Sequence, residues 1–210
     1  MAAAILTAVL TAYLLGNLNG SVCISALIAD DDVRKHGSGN AGLTNFFRNY
    51  GFGGTALVIL VDIIKTVAAC YSAGLILTPY GCFREGLALG AVAVSLGHDF
   101  PALLGFRGGK GILCGFTIAL ILDWRIGIAM FVVFAICFWL TRYVSLGSVL
   151  GACVFGIGFV LLHRHELWVM AAGIFLAVLA VFMHRGNIVR LIKGTEKKVH
   201  LIHTYLNRQE

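Results

Sequence analysis

Long apolar runs alternate with short polar segments along almost the whole chain. The runs extend from about Ala2 to Ala29, Gly53 to Leu77 and Gly86 to Leu104, then from the end of a short cationic loop (Gly105 to Gly111) to Leu122, and on from Ile126 to Leu140, Leu146 to Leu162, and from the next turn to Met183. A membrane-spanning helix needs about 20 mostly apolar residues, or as few as about 17. The pattern therefore predicts an all-α integral membrane protein with about seven transmembrane helices. Because the fourth and fifth runs are short, six spans with one broken helix is the alternative.

Composition agrees with this pattern. Hydrophobic residues make up 59% of the chain and charged residues 12%, about half the charged fraction of a soluble domain. No internal repeat is visible, so residues 1–210 are expected to form a single membrane-embedded domain. The six cysteines are scattered and form no C-x-x-C pair, which gives no support for a zinc or redox site. We expect no metal and no cofactor.

The distribution of Lys and Arg predicts the orientation. Of the 16 Lys and Arg residues, twelve lie in segments that seven alternating spans place on one side, and one of these is Arg208. Only Arg84, Arg125 and Arg164 lie on the other side, and Lys65 lies within the second span. By the positive-inside rule the first side is cytoplasmic, which puts the N-terminus outside and the C-terminus inside. Because topology explains the net charge of +6, no nucleic-acid partner is required.

The polar segment after the first run, HGSGNAGLTNFFRNY at residues 36–50, has the composition of an anion-binding loop. Glycine lets backbone N–H groups turn toward a ligand, and Ser, Thr, Asn and Arg supply further donors. The candidates are Ser38, Gly39, Asn40, Thr44, Asn45 and Arg48. A flexible connector between two helices is the alternative.

A second glycine-rich segment follows the third run. Gly108, Gly109 and Lys110 precede the fourth run, an arrangement that offers backbone donors, a point charge and a helix N-terminus to an anion. It is not a Walker A loop, because positions 104 and 111 are Leu and Gly. The alternative is that these cations only anchor the chain near lipid headgroups.

Further polar residues fall on the same predicted face. They are His98, Arg142, Ser145, His184, Asn187 and Arg190. The two histidines could act as general acid or base, or could be hydrogen-bonded residues at the membrane interface. Asp62 and Lys65 are three residues apart on one helix face, where they form either a structural ion pair or part of the site. His163 and His165 fall on the opposite face and are excluded.

Three motifs together resemble the PlsY-type membrane glycerol-3-phosphate acyltransferases of bacteria. They are residues 35–45 (KHGSGNAGLTN), residues 97–101 with 106–111 (GHDFP and FRGGKG), and residues 184–188 (HRGNI) followed by Arg190, Leu191 and Gly194. Residues 62–65 and 142–146 are weaker matches. One departure is the segment GNLNGS at residues 16–21, where family members often have a Gly-Ser-Ile-Pro type segment.

The resemblance implies a seven-helix enzyme of the bacterial plasma (inner) membrane, with its active site on the cytoplasmic face. It would use acyl-phosphate, not acyl-CoA, to acylate the sn-1 hydroxyl of glycerol 3-phosphate, giving lysophosphatidic acid and phosphate. The family is regarded as metal-independent, with a substrate phosphate proposed as the base. Acyl-phosphate, glycerol 3-phosphate and the lipid bilayer are then the partners, and we expect a monomer.

The expected site combines these motifs. The substrate-binding candidates are Ser38, Gly39, Asn40, Thr44, Asn45, Arg48, Lys65, His98, Gly108, Gly109, Lys110, Arg142, Ser145, His184 and Asn187. Among them His184, Asn187, Lys110 and Ser38 are the catalytic candidates. A membrane transporter or binder of organic phosphates is the alternative function, since charged residues inside spans are also typical of transporters.

Overall fold

The protein is all-helical in a computed structural model that describes residues 1–199; Arg208 of the basic tail lies outside them. Helix bounds are α1 Ala2–Gly16, α2 Gly20–Ala29, α3 Leu43–Tyr50, α4 Phe52–Leu77, α5 Phe83–Asp99, α6 Ile112–Leu122, α7 Trp124–Thr141, α8 Val144–Leu162, α9 Leu167–Met183 and α10 Arg185–Ile192. The all-α prediction is thus confirmed.

The candidate membrane spans are fewer than the predicted seven. Within residues 1–199, five helical segments are long and apolar enough to cross a bilayer, and α9 with α10 would make a sixth span that bends by 55°. Helix α6 has 11 residues, which is too short for a hydrocarbon core that needs about 20. The count is therefore five to six, and the expected count of seven is not confirmed.

Small residues let the central helices approach closely. A Cβ atom on Gly97 of α5 would overlap the backbone of Tyr13 in α1, and one on Gly90 would lie 2.8 Å from the backbone oxygen of Ala69 in α4. Small residues at helix interfaces are typical of membrane bundles, where packing replaces the hydrophobic effect. The consequence is that side chains of α4 and α5 meet inside the bundle, including Lys65 and His98.

A polar cluster closes one end of the bundle. The buried His163 ring, which follows α8, has Nε2 3.0 Å from Asp123 Oδ2 and Nδ1 2.9 Å from Glu166 Oε1. Asp123 also pairs with Arg125 at 2.6 Å, and Glu166 pairs with Arg84 at 2.6 Å. These contacts hold the end of α6, the end of α8 and the start of α9 at one level.

Candidate active site

A cavity of about 730 Å³ lies at the end of the bundle opposite the His163 cluster. It is formed by the start of α3, the starts of α6 and α8, and the segment around α10. Ten of the predicted site residues line it: Ser38, Asn40, Thr44, Asn45, Arg48, His98, Lys110, Ser145, His184 and Asn187. Gly39, Lys65, Gly108, Gly109 and Arg142 are not among the lining residues. The structure thus brings together residues from three separate sequence motifs.

Three helix N-termini face this cavity. Helices α3, α6 and α8 begin after Gly42, Gly111 and Tyr143, and within residues 1–199 no side chain caps any of these three starts. The first residues of each helix line the cavity. Because the first N–H groups of a helix have no intrahelical partner and carry the positive end of its dipole, such starts attract anions.

Four cations add to this positive field. Arg48, Lys110, Arg190 and Lys197 all line the cavity. Burial and the neighbouring charge of Arg190 lower the pKa of the Lys110 ammonium. Burial likewise lowers the pKa of Arg48, and Arg190 adds to the effect. These cations lie close together and are partly removed from water, so a bound anion would relieve their repulsion.

Glu196 is a site residue that sequence reasoning missed. Its carboxylate accepts hydrogen bonds from Ser145 Oγ at 2.8 Å, Asn187 Nδ2 at 2.7 Å and Arg190 Nε at 2.7 Å. Burial opposes its ionisation, but these three donors outweigh burial and lower its pKa. In the sequence, the only indication of a role for Glu196 was that it is the single acidic residue among Lys193, Lys197 and Lys198.

Asn187 connects Glu196 to Lys110. Its Nδ2 group donates to the carboxylate, while its Oδ1 accepts from the Lys110 ammonium. A carboxylate only accepts hydrogen bonds and an ammonium only donates them, so both ends of the Asn187 amide are oriented by charge. This network holds Lys110 at the cavity surface.

Asn45 organises the loop at residues 36–42. Its Nδ2 group donates to the carbonyl oxygens of Val33, His36 and Asn40 at 3.0–3.1 Å, and its Oδ1 accepts from Ser38 N at 2.9 Å. The amide is thereby occupied within the protein, which indicates a structural role in the loop. In contrast, the hydroxyls of Ser38 and Thr44 make no hydrogen bond within residues 1–199 and are available to a ligand.

The two glycine-rich segments dock on each other. Ala41 N and Asn40 Nδ2 both donate to Gly108 O at 3.3 Å. Gly108 N and Gly109 N donate to the carbonyl oxygens of Asp99 and His98 at 3.2 and 3.0 Å. The amides that the sequence suggested as anion ligands are therefore already used. A Cβ atom on Gly109 would overlap His98 Nε2, so the glycine pair permits close packing on the end of α5.

Asp62, Lys65 and His98 form a buried polar group below the cavity. Lys65 Nζ lies 2.8 Å from Asp62 Oδ1, 2.7 Å from His98 Nδ1 and 2.8 Å from Leu18 O. The ion pair that the spacing suggested is present. Asp62 and His98 also line the cavity, whereas Lys65 lies behind them. A direct contact between Lys65 and substrate stays a prediction.

His184 and Arg142 differ in their access to the cavity. His184 lines it, and its Nδ1 lies 2.8 Å from Ala180 O. Since a carbonyl oxygen only accepts, Nδ1 carries the proton and Nε2 of the neutral ring is free to accept. Arg142 places its guanidinium 5.2 Å from the centre of the Trp139 ring, and its carbonyl accepts from Val199 N. A substrate contact by Arg142 stays a prediction.

One side of the cavity is apolar. Its lining there consists of Ile112, Leu113, Phe116, Met130, Phe131 and Phe134 from α6 and α7. Phe131 is also 55% exposed on the outer surface of the bundle. A polar cationic end beside an apolar side that reaches the lipid-facing surface suits a molecule with a charged group and a hydrocarbon chain. Residues 1–199 contain no group of three or more His, Cys, Asp or Glu residues that could hold a metal ion.

Comparisons with known proteins agree on one family. The family model described as Glycerol-3-phosphate acyltransferase matches residues 6–194. The Glycerol-3-phosphate acyltransferase 1 of Deinococcus radiodurans is 41% identical over 92% of this chain and 95% of its own. The Glycerol-3-phosphate acyltransferase of Clostridioides difficile is 36% identical over 90% of this chain and 92% of its own.

Two solved structures share the fold. One is the crystal structure of PlsY, an integral membrane glycerol 3-phosphate acyltransferase, in its glycerol 3-phosphate form. It has a TM-score of 0.85 and 29% identity, over 96% of this chain and 98% of its own. The other is the lysophosphatidic acid form of PlsY, with a TM-score of 0.81 and 29% identity, over 95% of this chain and 97% of its own.

Proposed function

This chain belongs to the glycerol-3-phosphate acyltransferase family, and we propose that it transfers an acyl chain from acyl-phosphate to the sn-1 hydroxyl of glycerol 3-phosphate. The products are lysophosphatidic acid and inorganic phosphate. The observation that carries this proposal is the cavity with three uncapped helix starts and four cations beside an apolar side. Both substrates carry a phosphate, and one carries a hydrocarbon chain, so the cavity matches the pair.

The two phosphates are assigned to different parts of the cavity. The acyl-phosphate group lies among Ser38, Asn40, Thr44, Arg48 and Lys110, with its chain along the apolar residues of α6 and α7. Support comes from the open hydroxyls of Ser38 and Thr44 and from the free N–H groups at the start of α3.

Glycerol 3-phosphate lies on the other side, at Ser145, His184 and Asn187, with Arg142 as a further candidate. The unprotonated Nε2 of neutral His184 suits a hydroxyl donor. Ser145 lies at the uncapped start of α8. Both Ser145 and Asn187 donate a hydrogen bond to Glu196.

The reaction requires no enzyme nucleophile, because acyl-phosphate is an activated mixed anhydride. The sn-1 oxygen attacks the acyl carbonyl carbon, the carbon–oxygen bond to phosphate breaks, and phosphate departs with that electron pair. The hydroxyl proton passes to a phosphate oxygen of a substrate. Lys110, Arg48 and the helix starts stabilise the charge on the departing phosphate, and fixed orientation of the two substrates supplies much of the remaining acceleration.

The cavity is assigned to the cytoplasmic face of the bacterial inner membrane. The segments after α2, α5, α7 and α10 all meet there, and they carry most of the Lys and Arg residues. This orientation puts the N-terminus outside and the C-terminus inside, with α6 counted as a seventh, short span. A single domain over residues 1–210 and a monomeric enzyme complete the proposal.

The test is a two-substrate assay with purified protein in detergent. Acyl-phosphate and glycerol 3-phosphate should give lysophosphatidic acid and phosphate in equal amounts. Folded protein that forms no product would contradict the proposed reaction. Equal turnover from acyl-CoA would contradict the donor, and uptake of glycerol 3-phosphate into proteoliposomes without conversion would favour a transporter.

Two substitutions test the site itself. Arg48→Ala and Lys110→Ala should each lose most turnover while the protein stays folded, because each removes a cation from the cavity. Arg164→Ala is the matched control, since Arg164 lies at the opposite end of the bundle and its side chain donates a hydrogen bond to its exposed neighbour His165. Unchanged kinetics in both cavity variants would show that these cations are only membrane anchors.

A further inference from the structure

The Lys65 ammonium is fully surrounded by hydrogen-bond acceptors. The side chain is 2% exposed, and Nζ lies within 3.4 Å of Asp62 Oδ1, Leu18 O, Gly16 O and His98 Nδ1. An ammonium has three hydrogens and accepts no hydrogen bond. Each of the four neighbours can therefore only accept, and the carboxylate of Asp62 balances the charge of the ammonium.

This arrangement determines the tautomer of His98. Because Nδ1 must accept from Lys65, it carries no proton. The ring is then neutral, and Nε2 carries its single N–H group. The neutral form persists for as long as Lys65 remains charged, since a proton on Nδ1 would meet an ammonium at 2.7 Å.

His98 belongs to the cavity, whereas Lys65 does not. The ring is at the end of α5, lines the cavity and has Nε2 directed toward the Gly109 backbone. A Cβ atom on Gly109 would occupy the space at Nε2, which explains a glycine at that position. His184, on the other side, has the opposite tautomer with Nε2 free to accept. The two histidines thus offer one donor and one acceptor to the same cavity.

We propose that the buried Asp62–Lys65 pair fixes His98 as the neutral Nε2–H tautomer, which donates a hydrogen bond to an acceptor oxygen of bound substrate. This inference rests on the proposed function, and it makes His98 a substrate-contacting residue and Lys65 a positioning residue. The acceptor is a phosphate oxygen or the acyl carbonyl oxygen. In the second case the bond strengthens as negative charge develops on that oxygen during attack.

Few other titratable groups adjoin the ring. Asp62 Oδ1 lies 3.8 Å from His98 Nδ1, and Asp99 follows His98 at the end of α5. Lys110 and His184 share the cavity. None of these groups comes between Lys65 and Nδ1, so the charge of Lys65 acts directly on that nitrogen.

The tautomer can be read by nitrogen NMR of the full chain in detergent, with ¹⁵N-labelled histidine. The His98 signals are assigned by their loss in His98→Gln. We expect an unprotonated Nδ1 and a protonated Nε2 between about pH 5 and 8, the range in which an ordinary histidine titrates. A His98 ring that carries its proton on Nδ1, or that titrates in this range, would overturn the proposal.

The double variant Asp62→Asn with Lys65→Met tests the cause. It removes both charges together, so no unpaired ion is left inside the bundle. His98 should then populate both tautomers and gain a proton as the pH falls. A double variant in which His98 keeps the wild-type tautomer at every pH would show that the pair does not determine it.

Kinetics of two His98 variants test the donor role independently. Asn at position 98 can still accept from Lys65 but has no donor at the Nε2 position, whereas Gln keeps an N–H group there. His98→Asn should lose about 10- to 100-fold in kcat/KM, the effect of one lost hydrogen bond to a charged group, and His98→Gln should lose less. Full activity of His98→Asn would exclude the donor role.

The kinetic constants identify the acceptor. A raised KM for one substrate alone assigns the bond to the phosphate of that substrate, and a lowered kcat with both KM values unchanged assigns it to the acyl carbonyl oxygen. Absence of turnover in the wild type would refute the proposed function, while the NMR result would still decide the tautomer.

Discussion

Replacing Asn45 with alanine should disorder the loop at residues 36–42 and weaken substrate binding without unfolding the bundle. The Asn45 amide supplies a partner to four backbone groups: the carbonyl oxygens of Val33, His36 and Asn40 and the N–H of Ser38. A net hydrogen bond contributes about 0.5–1.5 kcal/mol. Because the amide has two hydrogens for the three carbonyl oxygens, the contacts amount to about three full hydrogen bonds, and they stabilise the ordered loop by roughly 1.5–4.5 kcal/mol.

The lower part of this range applies here. Val33 is fully buried, but His36 and Ser38 are exposed and can turn to water when Asn45 is removed. A loss of about 2–3 kcal/mol is thus expected, equivalent to a factor of about 30–150. Because substrate must then order the loop itself, its apparent affinity falls by up to that factor.

The assay combines hydrogen exchange with steady-state kinetics. Exchange at residues 38–41 should become faster in Asn45→Ala, while exchange in α4 and α5 is unchanged, and KM should rise by up to about 30- to 150-fold. Asn45→Asp is the matched control for shape, since it keeps an acceptor for Ser38 N but faces three carbonyl oxygens with a carboxylate. Its KM and its exchange at residues 38–41 should be at least as high and as fast as those of Asn45→Ala. Wild-type KM and exchange in either variant would refute this reasoning.

Three further outcomes are expected. The lowered pKa of Lys110 means that its positive charge is lost at a lower pH than in an ordinary lysine. The alkaline limb of the kcat/KM profile should therefore move to higher pH in Lys110→Arg. An alkaline limb at the wild-type pH would exclude Lys110 as its source. Gly109→Ala should lose activity because its added Cβ overlaps the His98 ring. Gly53→Ala, whose added Cβ has nothing beside it within 4 Å, should match the wild type. Equal activity of the two variants would contradict the packing of Gly109 on His98. The pKa of Glu196 is lowered from 4.5, so its network stabilises the protein above about that pH and is lost as the pH falls further; thermal unfolding of Glu196→Gln should show a flatter acid dependence, and an unchanged one would exclude this contribution.

The sequence predicted the helices well because hydrophobic periodicity and length are local properties. It did not locate the interruption of the first run, where Asn17 and Asn19 separate α1 from α2. Asn19 caps α2 by accepting from Val22 N, and Asn17 accepts from Leu103 N of a distant segment. Nor did it predict the bend at His184, because both α9 and α10 continue a helical pattern across it.

Most of the polar cavity-lining residues could be found from the sequence, but their roles depended on tertiary contacts. Asn45 and Ser38 have similar sequence signals, yet the structure occupies the Asn45 amide and leaves the Ser38 hydroxyl open. Gly108 and Gly109 have the composition of an anion loop, but their amides contact the end of α5. Glu196 was missed because an acid in a basic tail has no periodic or spacing signal.

The shortness of α6 has a consequence for where the chemistry occurs. Helices α6 and α8 end level, since Asp123 and His163 follow them and lie 3.0 Å apart. With 11 residues against 19, α6 begins about 12 Å deeper in the bundle at 1.5 Å per residue. Its free N–H groups therefore lie deeper in the bundle than those of α8, next to the apolar side of the cavity. In the proposed reaction, the acyl chain of the donor can then stay beside the apolar residues of α6 and α7 throughout, and the lipid product forms already in contact with them.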